Sequence, residues 1–354
     1  MSAAAVSGAP QHIARALSRR APDADALASL SFSELERQAH ALAPELAALR
    51  ATIGDTPLVA VPSEDGRGTV WLKLESGNAT ESVKARTAYA LLCAAVAGTR
   101  SAKPRLIEYS SGSLAFALAE FSAVLGLDLH MVVPHHAPDS MCTRLRRTGT
   151  SVSKAKEGTG FLGAMDEAAQ LAKEEDRHFL LQHCAAETVA MHRETTGAEV
   201  VRQLRAAGQE PVALAVSVGT GGTVLGVTQA LREVWPGCVA TAVFPQEGPY
   251  GDPLPPTSTP RMKGTGGLGH GLRQPLLEPY EKEFAFGEVA LARAQEAMVS
   301  LRAKHGLAVS ASGAGAWLAA SEAVDRAAEP HGVAIAIVAS RGTTEEWAGV
   351  GAGI

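Results

Sequence analysis

The stretch VALAVSVGTGGTVLGVTQALREV, residues 212–234, joins a short apolar run to an amphipathic one through a glycine-rich turn. Residues 212–218 predict a buried strand, and residues 224–234 predict a helix. Between them, Gly219, Gly221 and Gly222 let backbone N–H groups converge on an anion, and the helix start adds a favourable dipole. The spacing is neither that of a P-loop nor GxGxxG. The turn therefore predicts a phosphate site, with tight packing as the alternative.

The same alternation of strand and helix extends outward from this turn. Residues 105–109, 129–133 and 333–338 predict strands, and residues 114–125 predict a helix. Such alternation indicates βαβ units with mainly parallel sheets, an α/β fold. At 354 residues the chain exceeds the size at which single cores stop growing, so two lobes are expected.

Two further segments differ from this pattern. Residues 32–42 predict an amphipathic helix within an N-terminal extension, residues 1–50, that packs on the body or on a second subunit. Residues 246–274 are rich in Pro and Gly and predict a long irregular stretch, in which His270 and Arg273 are candidates to shape a second-substrate pocket, with a plain surface loop as the alternative.

Composition excludes several classes of function. Hydrophobic residues make up 46% of the chain and the net charge is −5, which disfavours a nucleic-acid or membrane-surface binder. No apolar run reaches the length of a membrane span, and the N-terminus shows no secretory signal. The four cysteines are widely spaced, which disfavours disulfides and zinc and fits a cytoplasmic protein. His135-His136 lacks partners at ligand spacing, so no metal site is expected.

Two other predicted strand-to-helix junctions carry chemically suitable residues. Ser110-Ser111-Gly112-Ser113 offers hydroxyls and helix-start amides that could hold a carboxylate, or a serine cap with nothing bound. Lys84 stands at a junction with Ser82 as candidate cap, and the positive helix end would disfavour its charged form. A lysine with a lowered pKa suits imine chemistry. Because ligands gather at the carboxyl ends of parallel strands, the three junctions together suggest pyridoxal phosphate holding an amino acid.

The motifs resemble those of the cysteine synthase and cystathionine β-synthase family, the fold type II pyridoxal-phosphate enzymes. The matches run in family order: IGDTPLV at 53–59 for "IGNTPLV", KLE at 73–75 and SVKAR at 82–86 for "KLE…SVKxR", SSGS at 110–113 for "TSGNT", QH at 182–183 and HRETTGAE at 192–199 for "QF…HxxTTGPE", GTGGT at 219–223 for the phosphate cup, MKGTG at 262–266 for "IQGIG", and GL at 306–307 through SGA at 312–314 for "GI…SSGAA". The agreement covers residues 53 to about 320.

The resemblance implies a role for each matching position. Lys84 would form the internal aldimine and act as the catalytic base. Ser312 would bond the pyridine nitrogen, with Ser310 as second choice. By resemblance, the residues that bind the cofactor would be Lys84, Ser113, Gly219, Thr220, Gly221, Gly222, Thr223 and Ser312. The residues that bind the substrate would be Ser110, Ser111, Gly112, Gln182 and Gly264. The resemblance also implies a homodimer and two lobes, a large cofactor domain of residues 51–76 plus 188–354 and a small substrate domain of residues 77–187.

By resemblance, the reaction is β-replacement on O-acetylserine or O-phosphoserine through an α-aminoacrylate, adding a sulfur or nitrogen nucleophile. Two departures put cysteine synthesis itself in question. Ser113 stands where the family has Asn, whose side chain reaches the cofactor's 3′-oxygen, and Cys184-Ala185-Ala186-Glu187 replaces Ser-Asn-Pro-Ala. A specialised nucleophile of secondary metabolism is therefore favoured. A β-eliminating lyase, such as a cysteine desulfhydrase or serine/threonine dehydratase, is the alternative; a cofactor-free regulatory relative is disfavoured because Lys84 and the glycine turn are both present.

Overall fold

The computed structural model describes residues 21–257, 259–326 and 332–351, together with Ile13, Leu17 and Arg20. The chain forms two compact units. The first unit takes residues 1–53 and 84–191, and the second takes residues 54–83 and 192–354, each as far as it is described. Most of the first twenty residues, the beginning of the expected N-terminal extension, lie outside the described residues.

The described helices and strands alternate along most of the chain. The α-helices are α1 (Ala24–Ser29), α2 (Phe32–Leu42), α3 (Leu46–Arg50), α4 (Lys84–Thr99), α5 (Ser113–Leu125), α6 (Asp139–Arg147), α7 (Gly160–Glu174), α8 (Ala186–Met191), α9 (Ala198–Ala206), α10 (Gly222–Val234), α11 (Leu291–His305), α12 (Ala311–Asp325) and α13 (Thr344–Gly349). The strands are β1 (Leu58–Pro62), β2 (Thr69–Leu74), β3 (Leu106–Tyr109), β4 (Leu129–Val133), β5 (Ser151–Lys154), β6 (His178–Phe179), β7 (Ala213–Ser217), β8 (Val239–Pro245), β9 (Ala285–Val289) and β10 (Val333–Val338). A π-helical turn, His192–Gly197, precedes α9.

The sheet of the first unit has the strand order β5-β4-β3-β6, and every pair in it is parallel. All four residues of β3 are buried, as expected for a central strand covered on both faces. Its carboxyl end leads directly into Ser110 and then into α5. This sheet therefore positions the predicted carboxylate loop at the edge where parallel sheets usually bind ligands.

The described N-terminal helices belong to the core of the first unit. Phe32, at the start of α2, is buried and meets the Tyr89 ring of α4 edge to face. The Tyr89 hydroxyl donates to Glu36 at 2.9 Å and lies 2.7 Å from His40 Nε2. Ser31 caps α2 by accepting from the backbone N–H of Glu34 at 3.3 Å. The predicted helix over residues 32–42 is confirmed at both ends.

The sheet of the second unit has the strand order β1-β2-β10-β7-β8-β9. Only the pairing of the edge strand β1 with β2 is antiparallel; the other described pairs are parallel. The central strand β10 reads VAIAIV and is buried throughout, because α12 packs on it and polar residues would lose their hydration there. The predicted α/β fold with mainly parallel sheets is confirmed, and the described part of residues 246–274 contains neither helix nor strand.

Candidate active site

The glycine-rich turn of the second unit lies between β7 and α10. Gly221 adopts φ +102°, which L-residues rarely adopt, and a Cβ there would lie 2.8 Å from Leu277 Cγ. The helix begins at Gly222, two residues earlier than the sequence predicts, and no side chain caps it. Because the first amides of a helix lack intrahelical partners, this uncapped start offers N–H donors and a positive dipole to an anion.

The predicted segment around Gly264 lies directly against this turn. A Cβ on Gly219 would lie 2.8 Å from the carbonyl oxygen of Gly264, and the N–H of Gly266 donates to Val218 at 3.0 Å. The Thr223 hydroxyl lies 3.1 Å from His192 Nε2. Only glycine allows so close an approach of two backbones. The cradle, with its glycines and the uncapped amides of the helix start, therefore fits a phosphate group such as that of pyridoxal phosphate.

Ser312 lies in the first turn of α12 and is buried. Its hydroxyl is 3.1 Å from that of Ser310, which caps the helix by accepting from the N–H of Gly313 at 3.2 Å. Ser217, at the end of β7, donates to the Ser312 carbonyl at 2.7 Å. The two serines considered for the ring nitrogen are thus in contact with each other. Since Ser310 is engaged as a cap, Ser312 is the better candidate.

The predicted carboxylate loop lies in the first unit at the start of α5. Gly112 occupies the N-cap position, and no side chain caps the helix. Ser110 is buried and accepts from the N–H of Gly112 at 3.3 Å, whereas Ser111 and Ser113 are exposed. Ser113 is the first helical residue, one position earlier than expected. The open helix start therefore retains amide donors for an α-carboxylate.

Lys84 is the first residue of α4, in the same unit as that loop. Burial lowers the pKa of Lys84 to about 8, and the negative charge of Glu108 opposes this effect. The sequence predicts a lowered pKa for Lys84, and the structure agrees. The largest cause of the lowered pKa is burial, whereas the sequence pattern points to the helix dipole. Ser82, two residues before Lys84, pairs with Ser340 in an isolated bridge.

Glu108 is a residue that the sequence argument missed. It lies in β3, its side chain is fully buried, and burial raises its pKa to about 8. Its Oε1 accepts from the side-chain amide of Gln182 at 3.3 Å, while Oε2 is buried without a hydrogen-bond partner among the described residues. A charged residue inside the apolar run LIEY was the available signal, since carboxylates seldom lie on a fully buried strand without a role.

Gln182 and His183 complete the buried polar group beside β3. The Gln182 side chain also donates to the Tyr109 carbonyl at 3.1 Å, so both of its donor contacts are within the protein. His183 Nδ1 lies 2.5 Å from the Tyr109 hydroxyl, and the two rings are stacked. Burial, followed by the charge of Lys84, lowers the pKa of His183 to about 3. The imidazole is therefore neutral at physiological pH and adds no positive charge near the lysine.

The charge relation between Lys84 and Glu108 has a measurable consequence. In protein freed of cofactor, acetylation of Lys84 by acetic anhydride should rise with pH around a midpoint near 8, because only the neutral amine reacts. In Glu108→Gln the midpoint should fall below that of the wild type, since the anionic carboxylate raises the pKa of Lys84 and the amide cannot. Peptide mass spectrometry measures the labelling. An equal or higher midpoint in the variant would show that Glu108 does not act on Lys84.

The site residues predicted from the sequence divide between the units. Lys84, Ser110 to Ser113 and Gln182 lie in the first; Gly219 to Thr223, Gly264 and Ser312 lie in the second. A fold type II pyridoxal-phosphate enzyme requires a phosphate cradle and a weakly basic lysine, and this chain has both on its two parallel-sheet units. The fold and the site therefore define this class of enzyme. Residues 49–340 match the model of the family described as "Pyridoxal-phosphate dependent enzyme", so the chain belongs to that family, in which it is of the cysteine synthase type.

Known proteins resemble the chain over most of its length. Cysteine synthase B of Escherichia coli (strain K12) is 28% identical over 300 residues, 84% of this chain and 93% of the relative. A probable cysteine synthase of Bacillus subtilis (strain 168) is 28% identical over 306 residues, 83% of this chain and 96% of the relative. A crystal structure of O-ureido-L-serine synthase matches with a TM-score of 0.74 at 23% identity, covering 84% of this chain and 92% of that one. At that identity the structural match establishes the fold.

No helix in the described ranges is both long enough and apolar enough to cross a membrane. All four cysteines lie within those ranges as free thiols, of which Cys93, Cys142 and Cys238 are buried.

Proposed function

We propose that this protein catalyses β-replacement on an activated serine, O-acetylserine or O-phosphoserine, adding a sulfur or nitrogen nucleophile to make cysteine or another β-substituted alanine. The observation that carries the proposal is Lys84, whose amine has its pKa lowered by burial to about 8, in the same unit as an uncapped helix start suited to an α-carboxylate. The similarity to two cysteine synthases supports the same class of reaction.

Each residue has a physical task in this proposal. Bound pyridoxal phosphate would supply an electron sink for the pair left on Cα when its proton is removed. Gly219 to Thr223 would hold the phosphate and so fix the orientation of the ring. Lys84 would hold the cofactor covalently and, once released, its neutral amine would accept the Cα proton. The open start of α5 would bind the substrate carboxylate, and Ser312 would hydrogen-bond the ring nitrogen.

β-Elimination remains the second candidate, and one observation favours it. Ser111 and Ser113 are exposed at the start of α5, so water can reach the predicted substrate loop of the first unit. A lyase would release a keto acid from the donor without any added nucleophile. A replacement enzyme would release little until a nucleophile is present.

The test is a screen of the holoenzyme with O-acetylserine and O-phosphoserine against a panel of thiols, sulfide and amines, read by mass spectrometry. The expected result is a β-substituted alanine whose mass identifies the nucleophile. Pyruvate as the main product with every nucleophile would establish the lyase instead. A protein that shows no visible cofactor band and no turnover would refute both candidates.

Replacing Ser113 by Asn should move the substrate preference toward that of ordinary cysteine synthases. The asparagine side chain reaches further and restores a hydrogen bond of about 0.5–1.5 kcal/mol, which corresponds to roughly a 2- to 13-fold change in relative kcat/KM. The measurement compares kcat/KM for sulfide and for the best nucleophile of the screen in both proteins. Ser140→Asn, on an exposed serine of α6 in the same unit and outside the predicted site, is the matched control. An unchanged preference would remove Ser113 from the determinants of specificity.

We also infer a cytoplasmic homodimer, as the sequence resemblance and the free cysteines suggest. Sedimentation equilibrium of the purified protein should give twice the mass of the chain. A monomer at micromolar concentration would contradict the inference.

A further inference from the structure

A fully buried glutamine at the end of the irregular segment contacts the phosphate cradle of the second unit. The side-chain amide of Gln274 donates to the carbonyl of Gly266 at 2.9 Å and to the carbonyl of Gly219 at 3.4 Å. Gly219 begins the glycine-rich turn, and Gly266 belongs to the segment that lies against this turn. Since a glutamine amide has two N–H donors, one side chain joins the two segments of the cradle.

The backbone that follows Gln274 packs on the same turn. The carbonyl of Gln274 accepts from the N–H of Leu277 at 2.9 Å and from the N–H of Glu278 at 3.0 Å. Leu277 is fully buried against Gly221, where a Cβ would lie 2.8 Å from Leu277 Cγ. The main chain and the side chain of Gln274 therefore both hold it in place beside the glycines.

The contact with Gly219 fixes the direction of one N–H group of the cradle. The peptide bonds of the described residues are trans, so the carbonyl of Gly219 and the N–H of Thr220 point in opposite directions. Because Gln274 holds the carbonyl, the N–H of Thr220 points away from Gln274. Thr220 is buried, and its N–H has no hydrogen-bond partner among the described residues. Buried N–H groups are almost always paired, so this one indicates an acceptor that the chain does not supply.

The second peptide that Gln274 holds differs in this respect, because its N–H is already used. The carbonyl of Gly266 accepts from Gln274, and the N–H of Gly267 donates to Gly248 at 2.9 Å. Gln274 Oε1 itself is buried without a hydrogen-bond partner among the described residues, which is unfavourable. The reversed amide would place Oε1 against two carbonyl oxygens, so the observed orientation is the better of the two. The amide thus serves the two carbonyls and leaves one cradle N–H available.

We propose that Gln274 is a positioning residue of the cofactor site, which holds the peptide between Gly219 and Thr220 so that the Thr220 N–H is available to the cofactor phosphate. Gln274 acts through this peptide, because both of its donors are engaged by carbonyls. A donor whose direction is fixed before the anion binds loses little freedom on binding, and this raises affinity. This inference rests on the part of the proposed function in which the cradle holds the phosphate.

The experiment compares pyridoxal phosphate with pyridoxal, which keeps the ring and the aldehyde but lacks the phosphate. Gln274→Glu keeps the shape of the side chain and sets a carboxylate against the two carbonyls; Gln274→Met keeps its length and removes the donors. Both variants should raise the Kd for pyridoxal phosphate about 10- to 100-fold and leave the Kd for pyridoxal within twofold. Each ligand is titrated into protein resolved of its cofactor, and the visible absorption band reports binding. In the holoenzyme, the ³¹P resonance of the cofactor should shift in both variants.

Gln209→Glu is the matched control. Gln209 follows α9 in the same unit and its side chain donates to the carbonyl of Ala207 at 3.4 Å, so this variant should bind both ligands as the wild type does. Unchanged Kd values for pyridoxal phosphate in both Gln274 variants would overturn the proposal. So would an equal loss of affinity for the two ligands, because Gln274 would then support the fold and not the phosphate site. If Gln274→Glu does not fold, Gln274→Met decides between these outcomes.

Failure of the proposed function gives a different result. A wild type that binds pyridoxal phosphate but forms neither a β-substituted alanine nor pyruvate would refute that function, while the two Kd values would still test Gln274. A wild type that binds pyridoxal as tightly as pyridoxal phosphate would show that the cradle does not hold the phosphate, and would overturn the role of Gln274.

Discussion

Replacing Lys84 by alanine is expected to abolish covalent attachment of pyridoxal phosphate and to lower turnover about 1,000-fold or more. The variant loses both the amine that would bind the cofactor and the base that would accept the Cα proton. The fold should persist, because alanine is favourable in helices and Lys84 lies at the first position of α4. Borohydride reduction followed by peptide mass spectrometry measures attachment, and the visible absorption band reports the loss independently of activity.

Lys154→Ala provides the matched control for this experiment. Lys154 lies at the end of β5 in the same unit and pairs with the exposed Asp139 at 2.7 Å, so its loss should leave cofactor attachment and turnover unchanged. A reducible lysine imine that persists in Lys84→Ala, with activity near that of the wild type, would remove Lys84 from both roles.

Replacing Glu199 by alanine should destabilise the second unit by about 3–5 kcal/mol. Glu199 Oε2 accepts from the fully buried Lys73 at 2.8 Å, and the lysine also donates to the Thr56 carbonyl at 2.7 Å and to Gln203 at 3.0 Å. Without the carboxylate, a buried ammonium would lack its counter-charge and would either stay uncompensated or lose its proton at a cost. Urea unfolding followed by circular dichroism measures the loss.

Two variants separate this buried pair from surface charges. Arg202 lies one turn further along α9 and pairs with Asp55 where both side chains are exposed, so Arg202→Ala should cost about 0–1 kcal/mol. The double variant Lys73→Met with Glu199→Leu removes both charges and should recover much of the stability lost in Glu199→Ala. If Glu199→Ala loses no more stability than Arg202→Ala, the pair does not stabilise the unit.

Local sequence patterns predict several helices and strands of the fold with their bounds. The continuous apolar run at 333–338 is β10 with the expected bounds, and the helix over 32–42 is α2. The glycine run predicts a start of α10 at residue 224, two residues later than the structure has it, because only Gly221 of the turn needs the left-handed conformation and Gly222 is already helical. Element boundaries of this kind depend on single dihedral angles, which apolar periodicity does not report.

The charge environment of the site could not be predicted in the same way. The position of Lys84 at a helix start predicts a lowered pKa through the helix dipole, but burial is the largest cause of the lowered pKa and depends on what packs around the amine. Glu108 influences Lys84 from a strand that begins after the whole of α4. The Lys73 ammonium forms an ion pair with Glu199, which lies 126 residues further along the chain. Such pairs form only when distant segments are packed together, and a single sequence gives no measure of that proximity.

The sequence by itself thus determined the alternation of strands and helices, the glycine cradle and the lysine at a helix start, since each depends on residues that are neighbours along the chain. The tertiary structure alone decided which charges are neutralised. It pairs Arg273 with Glu281 and leaves Arg261 without a partner among the described residues, although both arginines belong to the same irregular stretch. The physical reason is that hydrogen bonding and ion pairing act over a few ångströms in space, whatever the separation along the chain.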